Sequence, residues 1–505
     1  MHPMKKFAII FNLVLVTAGL RAALPTPDLI AQIHFAGVQK IFTAKNVTAF
    51  TNEFGCAEAL ALRKQTADKL SVWLSGWLQK NTGATVADGA AKLRPLFDDL
   101  QKSEWYLDAR AVANGKPTAA IAIKLGVDRA QLWQSTLKLF FATAIFEQTG
   151  GWLIFASDAS AQKLADGLVQ KVSANDTAWL SADVNWPRLA QWYPKLKELG
   201  LPETQFTVTA PDDNLWINGR FLFPENLSLQ LEHWQVPTNT VHPPFVSFTA
   251  VRGFAAWLKS QPWSLPYALS PAPNQAFVWA LPQVPYQTFL ALPVADAASV
   301  LAQVYANLQT ELNHQNAAGK FLAPLSVEQT GNQISLMGMP PFLSPYIQAV
   351  REPAGQFLLA GGFPNIRRGG PLPADLSQRL AQKNLLFYHW EITAERLPQA
   401  LNFSQLGLLM TVRRQLEGES TALKWIQKVS PAMGNNVTEI FQTGSAEMTF
   451  TRKSVGGFTA LELLALGNWL EAPNFPGCDL KFTLQKKNRR PQPAPAAVTT
   501  PLPAK

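Results

Sequence analysis

Apolar residues along this chain fall into two alternating rhythms. Period-two runs predict half-buried strands, and stretches with a 3.6-residue rhythm predict helices. "IHFAGVQKIF" (33–42) passes from the first rhythm into the second, and "VSFTAVRGFA" (246–255) does the same. The segments 106–139 and 276–308 each predict a strand, a turn at Pro117 or Pro285, a second strand and a helix. Asp128 and Asp296 stand where helix N-caps are expected, since a short carboxylate accepts the unpaired first N–H groups.

The same order continues downstream. Glu-Gln-Thr-Gly occurs at 147–150 and again at 328–331, each time before a predicted strand and ending in a turn-forming glycine. This predicts a hairpin in each half rather than chemistry performed twice. Next, 178–196 and 385–403 carry a strand through Asp183 or Glu391 into a helix with Arg188 or Arg396. Long strands are expected at 204–223 and 446–466. The spacing between matched positions drifts from 213 at Phe35/Phe248 to 168 at Asp128/Asp296, then back to 208 at Asp183/Glu391. Preserved order with drifting spacing is the mark of insertions into a duplicated unit.

The expected fold class is therefore α+β, with two internally duplicated halves. Each half is expected to be a mainly antiparallel sheet with helices packed on one face. Asn114-Gly115 is the strongest hairpin signal. The first repeat spans 23–234 with a helical insertion at about 57–100. A Pro/Thr-rich linker occupies 235–244, and the second repeat spans 245–485 with an insertion at about 405–437. Residues 486–505, rich in Pro and Ala, cannot build a core and are expected to be disordered or polyproline-like.

Composition changes this picture at the ends. The formal charge of +9 divides into +3 in residues 1–22, +5 in 486–505 and only +1 between them. A nearly neutral body offers no footprint for nucleic acid. The basic tail could instead meet an anionic wall or membrane surface. Residues 1–22 have the order of a signal peptide: Lys5 and Lys6, an apolar run from Phe7 to Leu20, then Ala22 and Ala23. The protein is expected to be exported, periplasmic or extracellular, with no transmembrane domain once the leader is removed. A leader retained as an anchor is the alternative. In an exported chain Cys56 and Cys478 can form a disulfide, although Cys56 also reads as a small buried hydrophobe. The strand opening at "ALPTPDLIAQIHFAGVQKI" (23–41), with the duplication, resembles secreted bacterial proteins of unknown function built from a repeated α+β unit. That resemblance implies no activity.

Candidate chemistry is sparse. The six histidines show no metal-ligand spacing, and no metal or cofactor signature is present. His389, near Glu391, reads as a strand histidine. Arg367 and Arg368 lie in a Gly-rich loop that could greet an anion. Ser135 and Lys138 have the S-x-x-K spacing of penicillin-recognising serine enzymes, with Ser173, Asn175, Lys453 and Ser454 in the order of the later motifs. If Asp128 caps its helix, however, Ser135 lies about two turns inside it. Trp186 and Trp192 could stack on a ligand, as could the i,i+4 pair Trp73 and Trp77.

The expected function is a non-enzymatic binding or scaffold protein of the cell envelope, holding an envelope protein, a glycan or a lipid-like ligand between or on the repeats. The alternatives are an envelope serine hydrolase using Ser135 and Lys138, or a carrier of a lipid-like molecule.

Overall fold

The computed structural model describes residues 28–477, apart from 45–47, 113–116, 158–160, 162, 165–166, 169–177, 194–195, 198–199, 261–268, 283–286, 320, 322, 340–342, 364–370 and 413–419. The leader, Asn114-Gly115, Pro285 and the tail lie outside the described residues.

In chain order, β1 (Leu29–Phe35) is followed by four helices: α1 (Val38–Phe42), α2 (Thr48–Gly55), α3 (Ala57–Thr82) and α4 (Gly89–Lys102). Next come β2 (Trp105–Arg110), β3 (Thr118–Lys124), α5 (Val127–Lys138), β4 (Ile145–Thr149) and β5 (Trp152–Ala156). β6 (Leu180–Val184), α6 (Trp186–Leu189), β7 (Glu203–Thr209) and β8 (Leu215–Leu222) complete the first half. The second half opens with β9 (Ser247–Arg252), α7 (Ala255–Ser260), β10 (Gln275–Ala280), β11 (Thr288–Val294) and α8 (Ala297–Ala317). Two hairpins follow, β12 (Ser326–Thr330) with β13 (Gln333–Met337), and β14 (Tyr346–Glu352) with β15 (Gly355–Gly361). The chain ends with α9 (Ala374–Leu380), β16 (Leu385–Ile392), α10 (Thr393–Val412), α11 (Thr421–Val429), β17 (Asn435–Gln442), β18 (Glu447–Ser454) and α12 (Ala460–Glu471).

The strands form one mixed-length antiparallel sheet, so the class is α+β. Its seam is the pairing of β8 with β18, from Leu222↔Glu447 to Leu215↔Ser454. Outward from the seam on one side run β8, β7, β6, β1, β2, β3, β5 and β4. On the other side run β18, β17, β16, β9, β10, β11, β15 and β14, with β13 and β12 added beyond.

Directly paired residues share a face of the sheet, and alternate residues lie on opposite faces. The helices are not all on one side as expected, since α9 lies opposite, but one face carries most of them. On it α3, α4 and α5 bury Leu78, Leu93 and Trp133 against Ile123 and Leu153. α8 covers Ile334 and Leu358 in the same way. Near the seam α10, α11 and α12 pack together with the start of α3 through Leu397, Ile426, Leu463 and Leu62.

The second face buries Tyr106, Ala122, Trp152 and Ile154 under Ala161 and Leu168 in the outer strands of the first half, and differs between the halves nearer the seam. In the second half it carries Phe248, Phe277, Trp279, Phe289 and Phe357, covered by Val241 and by Leu376 and Leu380 of α9. Trp234 and Val236 from the connecting segment add to this core. Burial on both faces explains the near-continuous apolar runs of β10 and β16. β8 instead alternates strictly between buried and half-buried positions, because only one of its faces is packed.

Several expectations need correction. Asp296 caps α8, accepting from the N–H groups of Ala298 and Ser299, but the N-cap of α5 is Gly126 and Asp128 sits in its first turn. The expected strand at 446–466 is β18 followed by α12, whose Thr459 and Glu462 form a reciprocal capping box. The insertion expected to end near 437 stops earlier, since β17 already begins at Asn435. Both Glu-Gln-Thr-Gly segments close two-residue hairpins, Thr149↔Trp152 and Thr330↔Gln333. Their places differ, however. β5 pairs with β3, whereas the strand beside β11 is β15, so the second tetrapeptide marks the added outer hairpin.

Candidate functional site

The polar side of the first half is built by register. Asp108, Gln32, Asp183, Gln205 and Arg220 are direct partners on β2, β1, β6, β7 and β8, so their side chains form one row across five strands. At the usual strand spacing the row spans about 19 Å. A second row on the same face runs through Tyr106, His34, Ser181, Thr207, Asn218 and Thr451. Beyond it, Trp216 pairs with Lys453, whose ammonium lies 4.9 Å from the indole centre and donates to Asp212 at 3.1 Å.

Hydrogen bonds fix the first row. Gln32 donates to Asp108 Oδ2 at 2.7 Å, and Arg110 Nε donates to Asp108 Oδ1 at 2.6 Å. Gln205 donates to Asp183 Oδ2 at 2.9 Å and accepts from Arg220 Nε at 2.7 Å. Glu203, two residues before Gln205, accepts from Asn185 at 2.9 Å. The other oxygen of Asp183, Oδ1, is shielded from water and has no hydrogen-bond partner. Burial raises the Asp183 carboxyl to about 6, with the nearby Glu203 adding to the rise and Arg220, Gln205 and Arg110 opposing it. Above that pH the row presents an acceptor with an unused lone-pair direction, framed by arginine and amide donors. Because that oxygen is shielded, a ligand hydroxyl or amine N–H reaches it only where a neighbouring side chain moves aside. In the neighbouring row His34 stacks on Tyr106 at 4.2 Å and lies 3.1 Å from Glu104 Oε1.

The residues singled out by the sequence are not gathered here. Ser135 is exposed on α5, and its hydroxyl donates to Leu132 O at 3.0 Å. Lys138, also exposed, places its ammonium 5.7 Å from the Phe146 ring centre. α5 belongs to the helical layer, on the side of the sheet away from Lys453. Ser454 faces that helical side and accepts from Gly457 N at 3.0 Å. Ser173, Asn175, Arg367, Arg368 and Cys478 lie outside the described residues. Cys56 is half-buried, with its thiol donating to Glu53 O at 3.3 Å. Trp186 and Trp192 are half-buried, and Trp186 directly follows Asn185 at the border of the row. His389 is buried in the helical face, 2.8 Å from Thr249 Oγ1 and 3.3 Å from Glu391 Oε2.

Asp183 and Glu391, matched by pattern, face opposite ways. Asp183 shares a face with Arg220, whereas Glu391 lies under α12 and accepts from Ala460 N at 2.7 Å. Burial works to raise the Glu391 carboxyl, but His389, Thr393 and the Ala460 amide outweigh it and hold the group below its usual range. The polar row has one signal in the sequence, the charged and amide residues at alternate positions of β1, β2, β6, β7 and β8. Reading them as a row requires the strand order.

Among the described residues no group of His, Cys, Asp and Glu could hold a metal ion, and no helix is long and apolar enough to cross a membrane. No protein-family model matches the chain, and comparison with characterised proteins and with solved structures finds no match.

Proposed function

We propose that this is an exported binding or scaffold protein of the cell envelope, arisen by internal duplication, whose first half presents a polar sheet face to a ligand rich in hydrogen-bond donors. The supporting observation is the contrast between the halves near the seam, since the outer strands β3 and β5 of the first half are also covered on this face, by Ala161 and Leu168. On the second half this face is apolar and covered by the chain's own Trp234, Val241 and Leu376. On the first it carries the Asp108–Arg220 row, with an unpaired Asp183 oxygen. An orphaned, shielded acceptor costs folding free energy, and a bound donor removes that cost. The strand order outward from β8 and β18, alike for eight strands on each side, supports the duplication.

Native mass spectrometry of the protein taken from its own envelope fraction tests this reading. The expected result is a stoichiometric non-covalent adduct that is lost or weakened in Asp183→Ala and Arg220→Ala. An adduct unaffected by both substitutions would place the ligand elsewhere, and a bare wild-type protein would remove the carrier reading. The denatured mass reads export separately, since the proposal expects a chain lacking residues 1–22.

A further inference from the structure

The short helix α2 joins the two halves through a ladder of aromatic rings. Phe50 and Phe54 stand one turn apart on it, with ring centroids 4.3 Å apart. Phe50 meets Trp179, just before β6 in the first half, at 5.6 Å. Phe54 meets Trp425 of α11 in the second half, also at 5.6 Å. The Trp425 indole and the Cys56 thiol both donate to the Glu53 carbonyl, at 3.2 and 3.3 Å. Yet the two phenylalanines are only half-buried, and the fully buried side chain of α2 is an acid, Glu53.

A helix seated on a core ordinarily places an apolar residue at its deepest point. Here neither carboxylate oxygen has a hydrogen-bond partner, and the group rests against Gly456 and Met433. Protonated, it is a neutral side chain in an apolar seat. Ionised, it is a buried charge that water would stabilise far better. The surrounding elements bring no counter-charge to it. Residues 430–434 and 455–458 contain no titratable side chain. On α11, Lys424 and Lys428 are exposed. On α3, Cys56 is engaged as above, Glu58 is half-buried, and Arg63 lies 6.0 Å from the centre of the Phe42 ring. Lys40 of α1 pairs with Glu104, Asp183 beyond Trp179 accepts from Gln205, and Glu462 of α12 is closed on Arg452. Burial is the only influence that raises the Glu53 carboxyl.

We infer that α2 is a proton-operated latch between the halves, docked on α11 and the β18–α12 turn while Glu53 is protonated and released when the carboxylate ionises and turns to water. What comes away is eight residues held by two half-buried rings, so the opening is local and the sheet stays in place. Released, the acid returns to its ordinary value of 4.5, whereas docked it titrates at about 7. Docking is therefore strongest below about pH 4.5 and is lost as pH rises through 7, by roughly 300-fold in the docking equilibrium. The inference stands independently of any ligand on the polar rows.

Hydrogen exchange of the full chain at pH 5.5 and pH 8.5 tests this, with protection expressed relative to the unfolded-chain rate at the same pH. Peptides covering 48–55 report the latch, and those covering β5 report the sheet. Wild type is expected to lose protection at 48–55 by about tenfold or more between the two pH values, with β5 unchanged. Glu53→Gln and Glu53→Leu, which carry no charge to release, are expected to keep that protection at both. Two variants are used so that a defect peculiar to one side chain is not mistaken for the latch. Equal protection of 48–55 in wild type at both pH values would overturn the inference. So would the same loss in both variants, or a parallel loss in β5, which would mean that the whole fold loosens and not α2.

Discussion

The guanidinium of Arg452 on β18 grips both carboxylate oxygens of Glu462 on α12, with Nη1–Oε2 and Nη2–Oε1 each at 2.8 Å. Both side chains are almost wholly buried, at 1% and 3% exposed. Arg452 also donates to Thr438 and to Gly457 O, and Glu462 accepts from Thr459 N. One fork thus ties the seam strand to the capping box of the helix above it. Glu462→Gln would leave a buried cation with half its partner, at an expected cost of about 3–5 kcal/mol in urea unfolding. Arg452→Met with Glu462→Leu, which removes both charges, is expected to cost much less than either single change. A loss in the double variant equal to the sum of the losses in Arg452→Met and Glu462→Leu alone would show that the two side chains do not act as a pair.

The turn from β1 into α1 has a sharper steric requirement. Gly37 has φ +83°, and a Cβ there would lie 2.6 Å from Lys102 O and 2.8 Å from Glu104 N. Those are backbone atoms where α4 passes into β2, so they cannot rotate aside. Gly37→Ala combines left-handed strain with this clash and is expected to destabilise the fold by at least ~2 kcal/mol. Gly83→Ala is a useful comparison, with a similar φ of +73° but nothing within 4 Å. It is expected to cost only about 1 kcal/mol. Thermal melts of the two variants separate strain from clash, and equal losses would show that the close approach does not matter.

How far such features could be read in the sequence depended on whether their cause was local. Alternation in "LWINGRFL" identifies β8 as a strand with one packed face, because the cause is its own pleat. The Thr459-x-x-Glu462 cap was also local, yet the expected strand at 446–466 ran through it; Gly456 and Gly457 mark where the strand stops. Pairing of β8 with β18 was not legible, since strands distant in sequence meet there. The polar row had the same limit. Gln32, Asp183 and Arg220 look like ordinary solvent-side residues until the strands are placed side by side. Pattern matching also paired Asp183 with Glu391, although the two lie on opposite faces of the sheet.

The raised carboxyl of Asp183 has a measurable consequence for stability. Its folded value of about 6 lies above the ordinary unfolded value near 4. The folded state therefore holds the proton more tightly, and stability from this group is fully present below about pH 4 and lost as pH rises through 6. Asp183→Asn lacks this dependence. Between pH 4 and pH 8 wild type is expected to lose about 1–2 kcal/mol relative to the variant, after allowing for the solvent reaching a half-buried group. Parallel pH–stability curves for the two proteins would show that Asp183 is not held as described.

Glu53 on α2 poses the same question in a drier place. Its side chain is 2% exposed, and neither carboxylate oxygen has a hydrogen-bond partner. A Cβ at Gly456 would come within 2.8 Å of Oε2 and 2.6 Å of Met433 Sδ, so the missing side chain at 456 makes room for the acid. The Glu53 backbone carbonyl accepts from Trp425 Nε1 at 3.2 Å, tying α2 of the first half to α11 of the second. Burial alone pushes the carboxyl up to about 7. Its stabilising contribution is then whole below about pH 4.5 and disappears as pH passes through 7. Glu53→Gln keeps the shape without the charge. The expected result is that wild type loses about 2–3 kcal/mol relative to Glu53→Gln between pH 4.5 and pH 8.5. Urea midpoints at the two pH values decide the matter. A gap that does not widen with pH would mean that a cation or donor reaches Glu53 in solution and keeps it ionised throughout.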